Sequence, residues 1–164
     1  MRLHWHRTDL RPSDNLALVT GDDPILPVYV FDPRVLTHAA PPRVAFVRRS
    51  LATLREWYRA RESDLLIVRG EAPTELDRLA DEYDAGTVSW AQAYSGLGRR
   101  RDERVADRLA AAGVDHRVVD DHLLHEPGSI TTNDGDPYAV YSYFWKKWRD
   151  REKASSVAAP GADR

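Results

Sequence analysis

Three charged side chains, Arg7, Asp9 and Arg11, alternate in the stretch LHWHRTDLRPSDN, directly after a short apolar and aromatic run. Guanidinium and carboxylate groups at this spacing can grip an anion or the polar edge of a ring. They can equally pair with one another to pin a loop, or stay solvated, and position alone does not choose. A second stretch, WAQAYSGLGRRRDERV, joins aromatic rings to two glycines and then to Arg99, Arg100 and Arg101 where a helix starts. Glycines let backbone approach a partner closely, and helix-start amides suit an anion. Cations there oppose the helix dipole, so a bound anion or Asp102 and Glu103 must offset them unless all three simply face water. Neither stretch is a G-x-G-x-x-G fingerprint, a P-loop or a G-x-S-x-G elbow, which argues against dinucleotide, nucleoside triphosphate and serine hydrolase chemistry. The chain has no cysteine, which excludes disulfides, thiolate zinc and cysteine nucleophiles. His4 and His6 share one strand face, but no carboxylate or third histidine lies at ligand spacing; His122 and His125 after Asp120 and Asp121 form no stronger pattern. No metal site and no catalytic residue is expected, and the residues describe a binding domain more clearly than a catalyst.

These loops need a frame, and the chain supplies one. Its 164 residues, 42% hydrophobic and 30% charged, suffice for one domain with a real core. The net charge of −2 and pI near 6.3 disfavour a surface that coats nucleic acid, though a local basic patch remains compatible. No segment has the length and apolarity of a membrane span or a signal peptide, so a cytoplasmic protein is expected. Strands are predicted at Leu3 to His6, Ile25 to Phe31, Leu65 to Val68, Thr87 to Trp90 and Val114 to Val119. Between them the spacing predicts helices from Asp14 to Thr20, capped by Ser13 or Asp14, from Pro42 to about Arg61, from Thr74 to Tyr83 and from Leu97 to Ala112. Strands separated by helix-length segments imply parallel pairing. The predicted fold is α/β: a Rossmann-like, doubly wound parallel sheet of about five strands with helices on both faces.

In such a sheet, ligands sit beyond the carboxyl ends of the strands. The loops that matter are therefore His6 to Ser13, Phe31 to Arg34, Arg69 to Ala72, Ala91 to Gly98 and Asp120 to His122. After residue 120 the character changes. HEPGSITTNDGDPYAV is rich in turn signals, YSYFWKKWRDREK is an aromatic and basic helical segment, and ASSVAAPGADR has the composition of a disordered end.

LHWHRTDLRPSDNLAL resembles the opening of the DNA photolyases and cryptochromes, matching at Arg7, Asp9, Leu10, Arg11, Asp14 and Asn15. LPVYVFDPRVL, YSGLGRRRDERV and DDHLLHEPGSITTNDGDPYAVYSYFWKKW follow in the family's order, so the likeness covers Arg2 to about Trp148. The resemblance implies that residues 1–125 are the α/β antenna domain, which holds a second, light-harvesting chromophore. Residues 126–164 would be a linker and an aromatic, basic helix leading to a helical domain that packs against the first and carries the FAD. DNA would be bound by the full-length protein and weakly or not at all by this part. The resemblance places the chromophore in an apolar slot with a few polar groups. Trp5, His6, Phe31, Tyr94 and Leu97 are its apolar candidates, and Arg7, Asp9, Arg11, Asp32, Gln92 and Arg101 its polar ones. Folate-using members carry a glutamate where this chain has Ser95, and the Gly-Leu-Gly-Arg-Arg-Arg-Asp run is closer to members using a deazaflavin or flavin mononucleotide. The expected antenna is 8-hydroxy-5-deazaflavin, with FMN and methenyltetrahydrofolate as alternatives. The function implied is light harvesting for a deoxyribodipyrimidine photolyase, which repairs UV-induced pyrimidine dimers. A cryptochrome photoreceptor, a stand-alone nucleotide-binding or signalling module, and a remnant that pairs with a separately encoded partner are the competing readings.

Overall fold

Leu3 and Trp5 pack on one side of the first strand, while Arg2, His4 and His6 point to the other, and all five side chains are buried. A strand buried on both faces requires neighbours above and below as well as alongside. The computed structural model, which describes residues 1–161, shows how they are supplied. The elements run β1 (Arg2–His6), α1 (Leu16–Val19), β2 (Ile25–Phe31), α2 (Pro33–Leu36), α3 (Pro41–Arg59), β3 (Leu66–Arg69), α4 (Ala72–Glu82), β4 (Thr87–Ala91), α5 (Gly96–Ala111), β5 (Asp115–Val119) and α6 (Tyr141–Asp150). The five strands form one sheet in the order β3-β2-β1-β4-β5, and every pairing is parallel. The fold is the doubly wound α/β sheet that the alternation of strands and helices predicts.

Period-two alternation carries through the sheet. Leu3, Trp5, Val28, Val30, Val88 and Trp90 build one core with Leu76 and Leu79 of α4 and Val105 and Leu109 of α5. Tyr29, Phe31 and Ile67 face the other way, against Leu51, Leu54 and Tyr58 of α3. Burying each of the large aliphatic side chains contributes roughly 1.5–3 kcal/mol. The apolar stripe of α3 follows its expected spacing, with Val44 and Val47 half-buried ahead of Leu51, Leu54 and Tyr58. The apolar spacing Leu76, Leu79, Ala80, Tyr83 in α4 and Val105, Leu109, Ala112 in α5 predicts that Tyr83 and Ala112 face inward too, and both lie outside. Tyr83 caps the C-terminus of α4 and is 38% exposed, and Ala112 follows the end of α5 and is exposed. Both sit where their helices have ended, so the stripe no longer turns inward.

Local chemistry sets the remaining differences. The N-cap of α1 is Asn15, whose Oδ1 accepts from the Leu18 amide at 3.0 Å, rather than Ser13 or Asp14. Asp14 has a φ of +51° and cannot belong to the helix. The turn α2 is short enough to escape periodicity; it forms because Asp32 accepts from the Arg34 amide at 2.9 Å and Pro33 suits the first helical position. Beyond β5, α6 packs through Phe144 and Trp148 on the segment 122–130. Residues 154–161 are not a loose end. Val157 is half-buried, and its carbonyl accepts from the Asp14 amide at 2.8 Å. The last three residues of ASSVAAPGADR lie outside the described residues. Among the described residues, no helix is long and apolar enough to cross a membrane.

Candidate functional site

The β1 and β2 carboxyl ends open into a hollow of about 510 Å³. Its floor is Trp5 and Val30, its walls are Tyr29, Phe31 and Leu10, and its lip is Val35 and Phe46, the latter 70% exposed. The rings of Tyr29 and Phe31 meet edge to face with centroids 5.0 Å apart. Into this aromatic lining reach Arg7, Arg43, Arg101 and Asp32. The Trp5 ring lies under two cations, with Arg7 Cζ 4.8 Å and Arg101 Cζ 4.9 Å from its centroid.

The two guanidinium groups are in different electrostatic states. Arg7 pairs with Asp102, whose second oxygen accepts from the Ala93 amide at 3.1 Å. Arg101 forms no ion pair among the described residues, and its Nε is buried without a hydrogen-bond partner. Burial lowers both arginines from their ordinary range; Asp102 opposes this for both, and Asp32 adds to the opposition for Arg101. Burial also pushes the Tyr29 phenol up, against the nearby Arg101 charge. The Arg7–Asp102–Ala93 chain fills the crevice between β1 and β4, where the sheet reverses its direction of growth. The hollow therefore lies to one side, over β1 and β2.

Of the residues singled out from sequence, Trp5, His6, Arg7, Phe31, Asp32 and Arg101 line this hollow together. Asp9, Arg11, Gln92, Tyr94 and Leu97 do not. Asp9 lies beneath the loop, 1% exposed, with Oδ1 accepting from the Arg7 amide at 3.1 Å and Oδ2 from Asn15 Nδ2 at 3.2 Å. Arg11 turns away and donates to the Asp14 carbonyl and to Asp121. Gln92 lines a separate depression between α5 and β5, with Trp90, Arg99 and Val118. Tyr94 donates from its hydroxyl to Asp120 Oδ1 at 2.6 Å, and burial together with that carboxylate raises its pKa well above the usual phenol range. Leu97 is on the first turn of α5, 47% exposed. The segment Ala91 to Gly98 shares the strand-end edge with the loops His6 to Ser13 and Phe31 to Arg34, yet its side chains do not line the hollow, because α5 starts there and Arg101, beyond the segment, reaches back. Gly98 explains the tight start: a Cβ there would stand 2.5 Å from Ala93 Cβ. The close approach that this glycine permits is to the protein itself.

Leu10, Tyr29, Val35, Leu36, Arg43, Phe46 and Val47 line the hollow without having been foreseen. Phe46 carried a signal, being an aromatic outside the inward stripe of α3. The structure also brings Asp9 back beside His4 and His6, with ligand atoms within 4.8 Å, which strand spacing could not show. Most of these atoms are engaged already; His4 Nε2 is buried without a hydrogen-bond partner, 4.0 Å from Asp9 Oδ2. His6 contacts Tyr58 Oη at 2.8 Å and the Asp9 carbonyl at 3.2 Å, and His4 Nδ1 contacts Ser89 Oγ at 3.2 Å. Burial holds both imidazoles below their usual pKa, and Arg2 and Arg7 add to this for His4. The cluster is the buttress beneath the first loop.

A family model described as DNA photolyase matches residues 2–161. The chain belongs to the DNA photolyase family. The deoxyribodipyrimidine photo-lyase of Halobacterium salinarum is 48% identical over 172 residues, which cover 98% of this chain and 36% of that protein. A class III photolyase of Agrobacterium tumefaciens superposes with a TM-score of 0.86 at 31% identity, covering 97% of this chain and 34% of that one. An archaeal photolyase of Sulfolobus tokodaii, solved with two FAD molecules and described as implying a novel light-harvesting cofactor, has the same fold at a TM-score of 0.84 and 22% identity, covering 98% and 37%. The chain thus spans about a third of the length of these relatives.

Proposed function

We propose that this chain is the light-harvesting part of a deoxyribodipyrimidine photolyase and holds an antenna chromophore in the hollow over β1 and β2. The observation that carries this reading is Arg101: a half-buried arginine whose Nε is buried without a hydrogen-bond partner and which forms no ion pair among the described residues, set over Trp5 inside an aromatic hollow of about 510 Å³. A hollow of that size suits a planar ring system, and flat aromatic walls with few polar groups favour one. A half-buried cation with no ion pair gains when a ligand supplies negative charge and a hydrogen-bond acceptor. 8-Hydroxy-5-deazaflavin, whose hydroxyl ionises readily, meets both demands, and FMN offers a phosphate instead. In a protein as long as the relatives, FAD and the DNA contacts would belong to the remainder, with the antenna passing excitation to the flavin. No group in the present chain is assigned a part in splitting the dimer; its residues bind, orient and screen the pigment.

The test is titration of the purified protein with 8-hydroxy-5-deazaflavin, FMN and methenyltetrahydrofolate, followed by ligand absorbance and by quenching of tryptophan emission. A saturable site is expected for the deazaflavin. Arg101→Met should weaken it by roughly 10- to 100-fold, the worth of a charge-assisted hydrogen bond. Its melting temperature should change little, because the half-buried charge that is removed has no ion pair among the described residues. No binding by any of the three, or equal affinity in parent and Arg101→Met, would defeat the reading.

A further inference from the structure

We propose that the loop of residues 7–15 is a two-sided fastener: one side lines the hollow, and the other clamps the segment that leaves α6, through Arg11 and Asp14. Arg7, Thr8 and Leu10 face the hollow. Arg11 faces the opposite way, with its Nε donating to the Asp14 carbonyl at 2.8 Å and its Nη2 to Asp121 Oδ2 at 3.2 Å. That grip holds Asp14 at a φ of +51°, a conformation a non-glycine residue adopts only at some cost. In this conformation the Asp14 amide and carboxylate both point outward. The amide donates to the Val157 carbonyl at 2.8 Å, and the Val157 amide donates to Asp14 Oδ1 at 3.3 Å, a reciprocal pair.

Two further ties reach the same loop from beyond β5. Asp121 Oδ1 accepts from the Leu16 amide at 3.1 Å, and Thr8 Oγ1 lies 3.2 Å from His122 Nε2. Downstream of the clamp, Pro160 and Gly161 settle against Leu18, Ile25, Trp57 and Tyr58. Helix α6 is thereby attached on both sides, through the 122–130 segment before it and the clamped segment after it. The clamp itself does not depend on a ligand. Its use rests on the chromophore reading: in a protein of the relatives' length, the part beyond α6 would be held in one frame with a pigment in the hollow, as oriented energy transfer requires.

Hydrogen exchange of the intact chain, read by mass spectrometry, tests the clamp. The Val157 amide, and the Asp14 amide across from it, should be protected in the parent. Asp14→Gly keeps the backbone conformation but removes the carboxylate, and Arg11→Ala removes the grip; each should raise exchange at the Val157 amide about tenfold, the scale of one or two net hydrogen bonds. Amides of β4 should keep their protection. Asp14→Asn, which retains an acceptor oxygen and tolerates the same φ, should behave as the parent. If Arg11→Ala fails to fold, Asp14→Gly read against Asp14→Asn decides, since both accept the positive φ and they differ in the acceptor oxygen offered to the Val157 amide. Unprotected exchange at the Val157 amide in the parent, or Asp14→Gly indistinguishable from it, would overturn the proposal. Ligand affinity plays no part in this measurement, so its failure and that of the chromophore reading are separable.

Discussion

Replacing Asp102 with alanine should cost about 3 kcal/mol, the low end of the range for breaking a buried ion pair. The side chains of Arg7 and Asp102 are 6% and 13% exposed, so water can screen the stranded charge only slightly. Removing Asp102 leaves the Arg7 guanidinium over Trp5 beside a second cation, Arg101, and takes the acceptor from the Ala93 amide. A domain of this size shifts its melting temperature by about 2–4 °C per kcal/mol, so a drop of roughly 6–12 °C is expected. The double variant Arg7→Met with Asp102→Leu should recover most of the loss, because neither charge is then buried, yet stay about 1 kcal/mol short for the unpaired Ala93 amide. Urea denaturation of the parent, Arg7→Met, Asp102→Leu and the double variant completes the cycle, with Asp102→Ala measured beside it. A cost below about 1 kcal/mol for Asp102→Ala is the figure for an exposed pair, and would show that the crevice between β1 and β4 is wetter than the packing implies.

Burial lowers the pKa of His4 and His6, so both should stay neutral in the fold at pH values where the unfolded chain is protonated. Stability should then be level above about pH 6.5 and fall as pH drops below it, with a slope approaching about 1.4 kcal/mol per pH unit for each excluded proton. Urea midpoints across that window check this, and the double variant His4→Gln with His6→Gln should flatten the decline. Gly98→Ala should destabilise by about 1–3 kcal/mol, since the new Cβ would stand 2.5 Å from Ala93 Cβ, whereas Gly86→Ala meets nothing within 4 Å and should be nearly silent in the same thermal melts. Asn15→Ala removes the α1 cap and leaves Asp9 Oδ2 short of a donor, for a loss of about 2–3 kcal/mol by chemical denaturation.

The strands were legible because a sheet buried on both faces writes itself as runs of branched and aromatic residues, as in Ile25 to Phe31, separated by helix-length stretches. The apolar stripe of α3 was legible for the same reason, as burial imposes a period on contiguous residues. Loop chemistry was less so. Arg7 and Arg11, four residues apart in one charged loop, look equivalent as letters; one lines the hollow against Asp102 and the other turns outward to Asp14 and Asp121. Tyr94 and Leu97 have the right chemistry for a pigment slot, but the start of α5 directs them elsewhere. Phe46, by contrast, enters the lip from a helix far along the chain.

By itself, then, the sequence determined the parallel α/β layering, the edge at which a ligand hollow must open, and membership of the family through collinear loop motifs. Only the tertiary structure decided which charged groups are spent on one another and which is left unpaired. Arg101 is left without an ion pair among the described residues because Asp102, its neighbour in sequence, reaches across to Arg7 instead. The physical reason is range. Secondary structure follows contacts within a few residues, whereas ion pairing in a crevice depends on groups ninety residues apart in the chain, as Arg7 and Asp102 roughly are, brought together by the order of the strands.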